Sequence, residues 1–154
     1  MCAPFILSIM KNNLFEKLIG SWSLVEMIEV PLDKGEITYP MGTTPKGLII
    51  YNGDGFMSAQ IMSADSENFD TKNNAAYLAY SGPFQTDDEK ETVSHTMYVS
   101  LFENWRNQTQ IRKVLFKDGL LHLETEQPFM NNSRLVTHKL TWKRIEKYIK
   151  TINH

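Results

Sequence analysis

Two side chains near the middle of the sequence carry chemistry suited to a small molecule. The stretch TVSHTMYVSLF, residues 92–102, sets His95 in alternation with Val93, Met97, Val99 and Leu101. An imidazole in such an apolar row can face an interior, and its free pKa of about 6.5 suits proton movement in either direction. Read alone, such a histidine is more often a satisfied interior residue than a catalyst. In the following run, QTQIRKVLF, Arg112 alternates with Gln110, Val114 and Phe116. A guanidinium on an inward face is costly unless paired. One candidate partner is Glu26, which alternation places in a row with Trp22, Leu24 and Ile28. The other is a ligand carrying a carboxylate or carbonyl, groups that match the planar fork of arginine. Ile111 and Leu115 make the opposite face apolar as well, so the facing of Arg112 stays open.

Aromatic residues gather around the same elements. Tyr51 ends one strand-like run, Tyr80 begins another, Tyr39 precedes Pro40, and Trp105 follows the His95 run. Apolar rings with a polar tip suit the mouth of a pocket, although each is also an ordinary packing residue. Tyr51, Tyr80, His95, Trp105, Arg112 and Glu26 are therefore the candidate ligand-binding residues, with Met57, Met62 and Met97 as an adaptable lining. Tyr98 falls on the face opposite His95 and is expected outside. No Gly-rich phosphate loop and no dinucleotide fingerprint is present, and no cofactor is expected. His95, His122, His138 and His154 lack the spacings that bind metals, so no metal site is expected either. No serine sits in a nucleophile-elbow context, and the acidic run Asp87–Asp88–Glu89 reads as a solvated turn.

The elements that must position these residues are nearly all strands. SWSLVEMIEV, GLIIY, GFMSAQIM, GPFQTD, ETVSHTMYVSLF, QTQIRKVLF, LLHLETE and RLVTHKLTWKRI read as about eight strands. Short turns join them: NGDG, where Gly53 and Gly55 can take positive φ, the polar turn at 87–90, and KDG at 117–119. Antiparallel strands with short turns and no βαβ pattern point to an all-β, up-and-down barrel, in which closure removes the free edges. Eight strands leave room for side chains or one small ligand. Residues 12–19 read as one short helix, capped by Asn12 or Asn13 and ended by Gly20. The stretch SADSENFDTKNNAAYLAY, residues 63–80, begins polar and ends with helical spacing at Ala76, Tyr77 and Tyr80. It reads as a lid-like loop with a short helix across the barrel mouth, or as a plain surface excursion.

The chain has 154 residues, enough for one domain with a sizeable core. Sixteen Lys and Arg against eighteen Asp and Glu give a formal charge of −2, which argues against a nucleic-acid partner and a polybasic membrane contact. No run approaches the roughly 20 apolar residues of a membrane helix. A single cysteine, Cys2, excludes a disulfide within the chain and fits a reducing, cytoplasmic setting. The opening MCAPFILSIMKNN lacks a basic region and a cleavage site, so a signal peptide is not expected; Met10 is an alternative start. The expected organisation is a disordered or misassigned start over 1–11, a barrel domain over 12–146 and a tail over 147–154.

Gly20–Ser21–Trp22 opens the first strand and TWKR lies in the last. This pairing resembles the closure of lipocalin-type barrels, where a basic side chain, Arg144 or alternatively Lys143, covers a floor tryptophan. Further stretches extend the likeness: GSWSLVE, YPMG, GLIIYNGDGFMSAQIM, AYLAYSG, VSHTMYVSLFENW, QIRKVLF and LTWKR, in order from Gly20 to Arg144. Together they resemble the lipocalin-like domain family of small bacterial and fungal proteins. The chain departs from that pattern at Pro83 and Glu103. The resemblance implies an eight-stranded calycin-like barrel with an internal cavity, and binding or isomerisation of a small organic molecule. Three functional expectations follow. The first is a barrel that binds a small, partly apolar or amphipathic molecule, its polar end held by Arg112 and His95. The second is a cofactor-independent isomerase, cyclase or hydro-lyase, with His95 as acid and base and Arg112 stabilising an oxyanion. The third is a filled barrel that works through protein contacts, a homodimer among them.

Overall fold

The computed structural model describes residues 13–63 and 77–147. The first element is a single helical turn, α1 (Leu14–Leu18), shorter than the span expected from sequence. The Asn13 side chain accepts from the backbone N–H of Glu16 at 2.8 Å and so caps the turn. Ile19 is already extended, and Gly20, at φ 128°, turns the chain into the first strand.

Ten strands follow in chain order: β1 (Gly20–Pro31), β2 (Lys46–Tyr51), β3 (Phe56–Met62), β4 (Tyr77–Asp87), β5 (Thr92–Thr96), β6 (Val99–Ser100), β7 (Thr109–Lys117), β8 (Leu120–Thr125), β9 (Phe129–Asn131) and β10 (Arg134–Arg144). Eight of them close a ring, β1-β2-β3-β4-β5-β7-β8-β10, through antiparallel pairing of β10 with β1. The short β6 pairs with β4 and the short β9 with β10. The fold is thus the antiparallel eight-stranded barrel that the strand pattern calls for. Among the expected turn glycines, Gly55 (φ 91°) and Gly119 (φ 75°) take the left-handed conformation, the latter next to Asp118 at φ 54° in a tight Asp-Gly hairpin. Gly53 does not need it.

Three local departures from simple alternation matter for the site. A bulge between Leu24 and Glu26 shifts the register of β1 against β10. Trp22 and Leu24 point inward before it, and Met27 and Glu29 point inward after it. Glu26 therefore does not share the row of Trp22 and Leu24, because one extra residue reverses every later side chain. The expected strand over 91–102 also breaks after Thr96. Val93, His95 and Met97 are buried as one row, whereas Val99 and Leu101 are exposed. At the break the chain passes directly over Gly82, where a Cβ would lie 1.9 Å from the carbonyl oxygen of Thr96. Finally, Tyr77 and Tyr80 belong to β4, not to a helix: the ladder with β3 runs from Met62–Tyr77 through Ala59–Tyr80. Residues 64–76 of the lid-like stretch, like residues 1–12 and 148–154, lie outside the described residues.

One end of the barrel is closed by α1. Leu18 is fully buried beneath it, and Phe15 stacks on Phe84 at 5.1 Å between ring centroids. The Trp22 indole donates to the carbonyl of Leu18 at 2.9 Å. Arg144 lies 4.1 Å above the Trp22 ring and donates to the carbonyls of Ile19 (2.8 Å) and Lys17 (2.6 Å). Arg144, rather than Lys143, is the covering residue.

Candidate functional site

Above this floor the barrel encloses a cavity of about 690 Å³. Its wall is largely apolar, built from Met27, Met41, Ile49, Ile61, Leu123 and Trp142 among others. Met57 and Met97, expected as lining, are buried in the core instead, and Met62 accepts a hydrogen bond from the Tyr77 hydroxyl. Among the described residues the barrel interior is open and not filled by side chains.

His95 projects inward from β5, between Phe84 on β4 and Gln110 on β7. It is only 1 % exposed. Both ring nitrogens have partners: the Tyr51 hydroxyl lies 2.7 Å from Nε2 and the Tyr80 hydroxyl 3.0 Å from Nδ1. Burial, and secondarily the positive charge of Arg112, lower the His95 pKa to about 3. The imidazole is neutral at physiological pH. Burial raises both tyrosine hydroxyls above their usual pKa, so both keep their protons. Tyr80 and His95 line the cavity, while Tyr51 stands behind them in the core.

Arg112 faces the same interior, diagonal to His95, since Val93 pairs with Arg112 and His95 with Gln110. It lines the cavity and donates to the side-chain oxygen of Gln110 and to the carbonyl of Ile111 at 3.5 Å. Among the described residues no carboxylate forms an ion pair with it. Glu26, the protein partner expected from alternation, is not part of the wall, for the bulge turns it away. Trp105, in the 3-10 turn Glu103–Trp105, lines the mouth and meets Tyr80 edge-on at 6.3 Å and Phe102 at 4.7 Å. Tyr39 is exposed, and its neighbour Pro40 reaches the wall instead. Tyr98 is 71 % exposed, as its phase requires.

Three further residues belong to the site and were not singled out from sequence. Glu29, 7 % exposed, takes the interior position that the bulge denies Glu26. Its carboxylate accepts from His138 Nε2 at 2.9 Å, from Asn131 Nδ2 at 2.5 Å and from Thr38 Oγ1 at 3.2 Å. Burial alone would raise its pKa, but the hydrogen bonds from His138, Asn131 and Thr38 outweigh that and hold it below the usual carboxylate range. Burial lowers His138, against the opposing pull of Glu29, so that a neutral imidazole donates to a charged carboxylate. The His138 ring lines the cavity, edge-on to Phe129 at 4.8 Å. Trp142 also lines it, and its buried indole N–H has no acceptor among the described residues. His138 and Trp142 share a visible alternating row, Val136-His138-Leu140-Trp142, which could have flagged the histidine. Nothing in the sequence flags Glu29.

The sequence model of the lipocalin-like domain family matches residues 19–145, the whole barrel from the end of α1 onward. The chain belongs to that family. No curated protein matched it. A barrel of this family with an open interior suits the binding of small molecules in general.

Proposed function

We propose that this lipocalin-like barrel binds a small, largely apolar organic molecule whose oxygen-bearing end is held by Arg112, with the Tyr80 hydroxyl beside it. The observation that carries the reading is a cavity of about 690 Å³ with a guanidinium on its wall and no carboxylate paired to it among the described residues. Ligand pockets typically span ~300–1,000 Å³ and combine an apolar wall with a few convergent polar groups. A charge in such a wall favours a ligand that neutralises it, and the guanidinium fork selects carboxylate or carbonyl oxygens. The free Trp142 N–H offers a second contact for a ligand oxygen. His95 supports the polar end through Tyr80, since both of its nitrogens are engaged. With both nitrogens engaged, His95 acts in this reading through Tyr80, and a direct proton acceptor is sought elsewhere in the cavity. The lone cysteine supports a cytoplasmic setting as part of this proposal.

Native mass spectrometry of freshly purified protein, compared with the denatured sample, tests for a retained molecule. Titration with two fluorescent probes then tests the polar anchor: anionic 8-anilinonaphthalene-1-sulfonate and uncharged N-phenyl-1-naphthylamine. Both are expected to bind once per chain. Arg112→Gln is expected to weaken the sulfonate at least tenfold and the uncharged probe by less than twofold. Equal affinities in the variant and the parent protein would remove Arg112 as the anchor. Failure of both probes to saturate would remove the binding reading itself.

A further inference from the structure

Two strands around the wall from Arg112, β10 brings a second polar group to the same cavity. Arg112 pairs with Thr125, the Thr125 hydroxyl accepts from the backbone N–H of His138 at 3.0 Å, and His138 pairs with Glu29. These residues therefore follow one another along a single line of ladder pairing. With neighbouring strands about 4.8 Å apart, the backbones of Arg112 and His138 are separated by roughly 10 Å, and both side chains project into the gap. A single functional group of a small ligand can meet both.

The hydrogen bonds around Glu29 decide the state of His138. An ionised carboxylate only accepts, so the proton of the neutral imidazole sits on Nε2, which faces Glu29. Nδ1 then carries the lone pair. It has no protein partner among the described residues, and its ring lines the cavity. Asn131 and Thr38 hold the other lone pairs of Glu29, and Phe129 fixes the ring from the side. An imidazole whose tautomer and orientation are set by a buried carboxylate is the arrangement of a general base. Arg112, two strands away, and the Tyr80 hydroxyl, across the barrel on β4, supply donors to the cavity between them, where a developing oxyanion would be stabilised.

Resting on the reading of the cavity as a small-molecule site, we propose that it is a proton-transfer site, in which His138, oriented by Glu29, enolises an apolar carbonyl compound with an acidic C–H. His138 Nδ1 takes the proton from the carbon next to the carbonyl. The C–H electron pair becomes the new C=C bond, and the carbonyl π pair moves onto oxygen. Arg112 and the Tyr80 O–H hold that oxyanion. Exchange of the Nδ1 proton with solvent water, followed by return of a solvent-derived proton to the same carbon, replaces its hydrogen, and return to the far end of a conjugated system gives an isomer. Either return restores neutral His138, and no oxidant, reductant or co-reactant is consumed. His138 is the catalytic residue in this scheme and Glu29 a positioning residue.

The test uses phenylpyruvate, an aryl 2-oxo acid with an acidic methylene, incubated with the full chain in D₂O. Proton NMR follows loss of the methylene signal, and saturation transfer to the ring protons reports binding in the same tube. The expected result is exchange at least 100-fold above buffer, returning to the buffer rate in His138→Gln while saturation transfer persists. His122→Gln, on the outer face, is expected to behave as the parent protein. Glu29→Gln is expected to slow exchange at least tenfold, and imidazole ¹⁵N shifts should show His138 passing from the Nε2–H form to a tautomer mixture. That variant decides the matter if His138→Gln does not fold. Saturation transfer without exchange in the parent protein, or exchange that survives His138→Gln, overturns the proposal and leaves the binding reading standing. Absence of saturation transfer overturns the proposal for this class of substrate, and the binding reading falls with it only if both fluorescent probes also fail to saturate.

Discussion

At the scale of the residue, the pairing of His95 with two tyrosines fixes where a proton is offered to the cavity. Tyr51 is 1 % exposed and has no hydrogen-bond partner other than His95 among the described residues. If it accepted from Nε2–H, its own hydroxyl proton would be buried without an acceptor, at a penalty of about 1–3 kcal/mol. Tyr51 therefore donates to Nε2, Nδ1–H donates to the Tyr80 oxygen, and the Tyr80 proton is left for the cavity. The two cavity histidines thus hold opposite tautomers, Nδ1–H at His95 and Nε2–H at His138, and long-range ¹H–¹⁵N spectra at pH 7 should resolve both. An Nε2–H form at His95 would reverse the chain and cancel Tyr80 as a donor. Acid sensitivity follows from the same burial. The unfolded chain protonates His95 as pH falls through about 6.5, whereas the folded protein resists until about 3. Stability from this group is present above that window and declines through it, by roughly 5 kcal/mol in total. His138, lowered in the same sense, adds to the loss from the same upper edge, and Glu29 adds its own once pH drops below the usual carboxylate range. His95→Gln is accordingly expected to be less stable than the parent at pH 7, with a gap that narrows in urea titrations at pH 5.5 and 4.5. A constant gap would mean that His95 does not titrate between the two states. Strand-end position and side-chain type put Tyr51 and Tyr80 beside the His95 pocket, but no sequence pattern states that two hydroxyls from β2 and β4 meet one ring.

At the scale of the element, the phase of each strand decides which side chains reach the cavity. Composition and period made the strands legible, and hairpin turns made their order legible, because both are local properties. Phase is not local once a bulge intervenes. One extra residue near Val25 exchanged Glu26 for Glu29, and with it the only buried carboxylate in the described residues. The β10 row containing His138 had no such interruption, so its facing could have been read directly. The helical reading of Tyr77 and Tyr80 failed for a related reason: a short Ala- and Tyr-rich run fits either period, and pairing with β3 settles it. The break after Thr96 is the other nonlocal feature. It requires the chain to pass against Gly82 and reattach as β6 beside Tyr80. Gly82→Ala would drive a methyl group into the backbone of the crossing segment, 1.9 Å from the Thr96 oxygen and 2.8 Å from the Tyr98 nitrogen. A loss of about 2–4 kcal/mol in denaturant unfolding is expected, with weakened probe binding because β5 carries His95. Gly53→Ala, whose added methyl meets nothing within 4 Å, is the control and should stay within about 0.5 kcal/mol. Similar stabilities for the two variants would show that the crossing is not tight in solution.

At the scale of the whole molecule, the barrel separates holding itself shut from holding a ligand. Closure depends on β1 meeting β10 and on α1 sealing the floor, and Arg144 joins all three. Its guanidinium covers Trp22 while two of its nitrogens reach the last carbonyls of the helical turn, which lack partners within so short a helix. The resemblance of GSW and TWKR to a floor closure made this contact legible from sequence, down to the choice of Arg144. The cavity was legible only as an implication of eight strands and of the family resemblance, since whether side chains fill a barrel depends on packing from all of them at once. Trp142 stands between the two regions, with one ring contributing to both core and cavity wall. The separation can be tested with Arg144→Lys, which keeps the charge but not the planar fork. Arg144 is exposed, so screening limits the loss to about 1–2 kcal/mol, seen as a lower thermal midpoint. Affinity for the uncharged naphthylamine probe should change by less than twofold, because the substitution lies beneath the floor. A large loss of affinity at unchanged stability would mean instead that the floor moves with the ligand, and that closure and binding are one process.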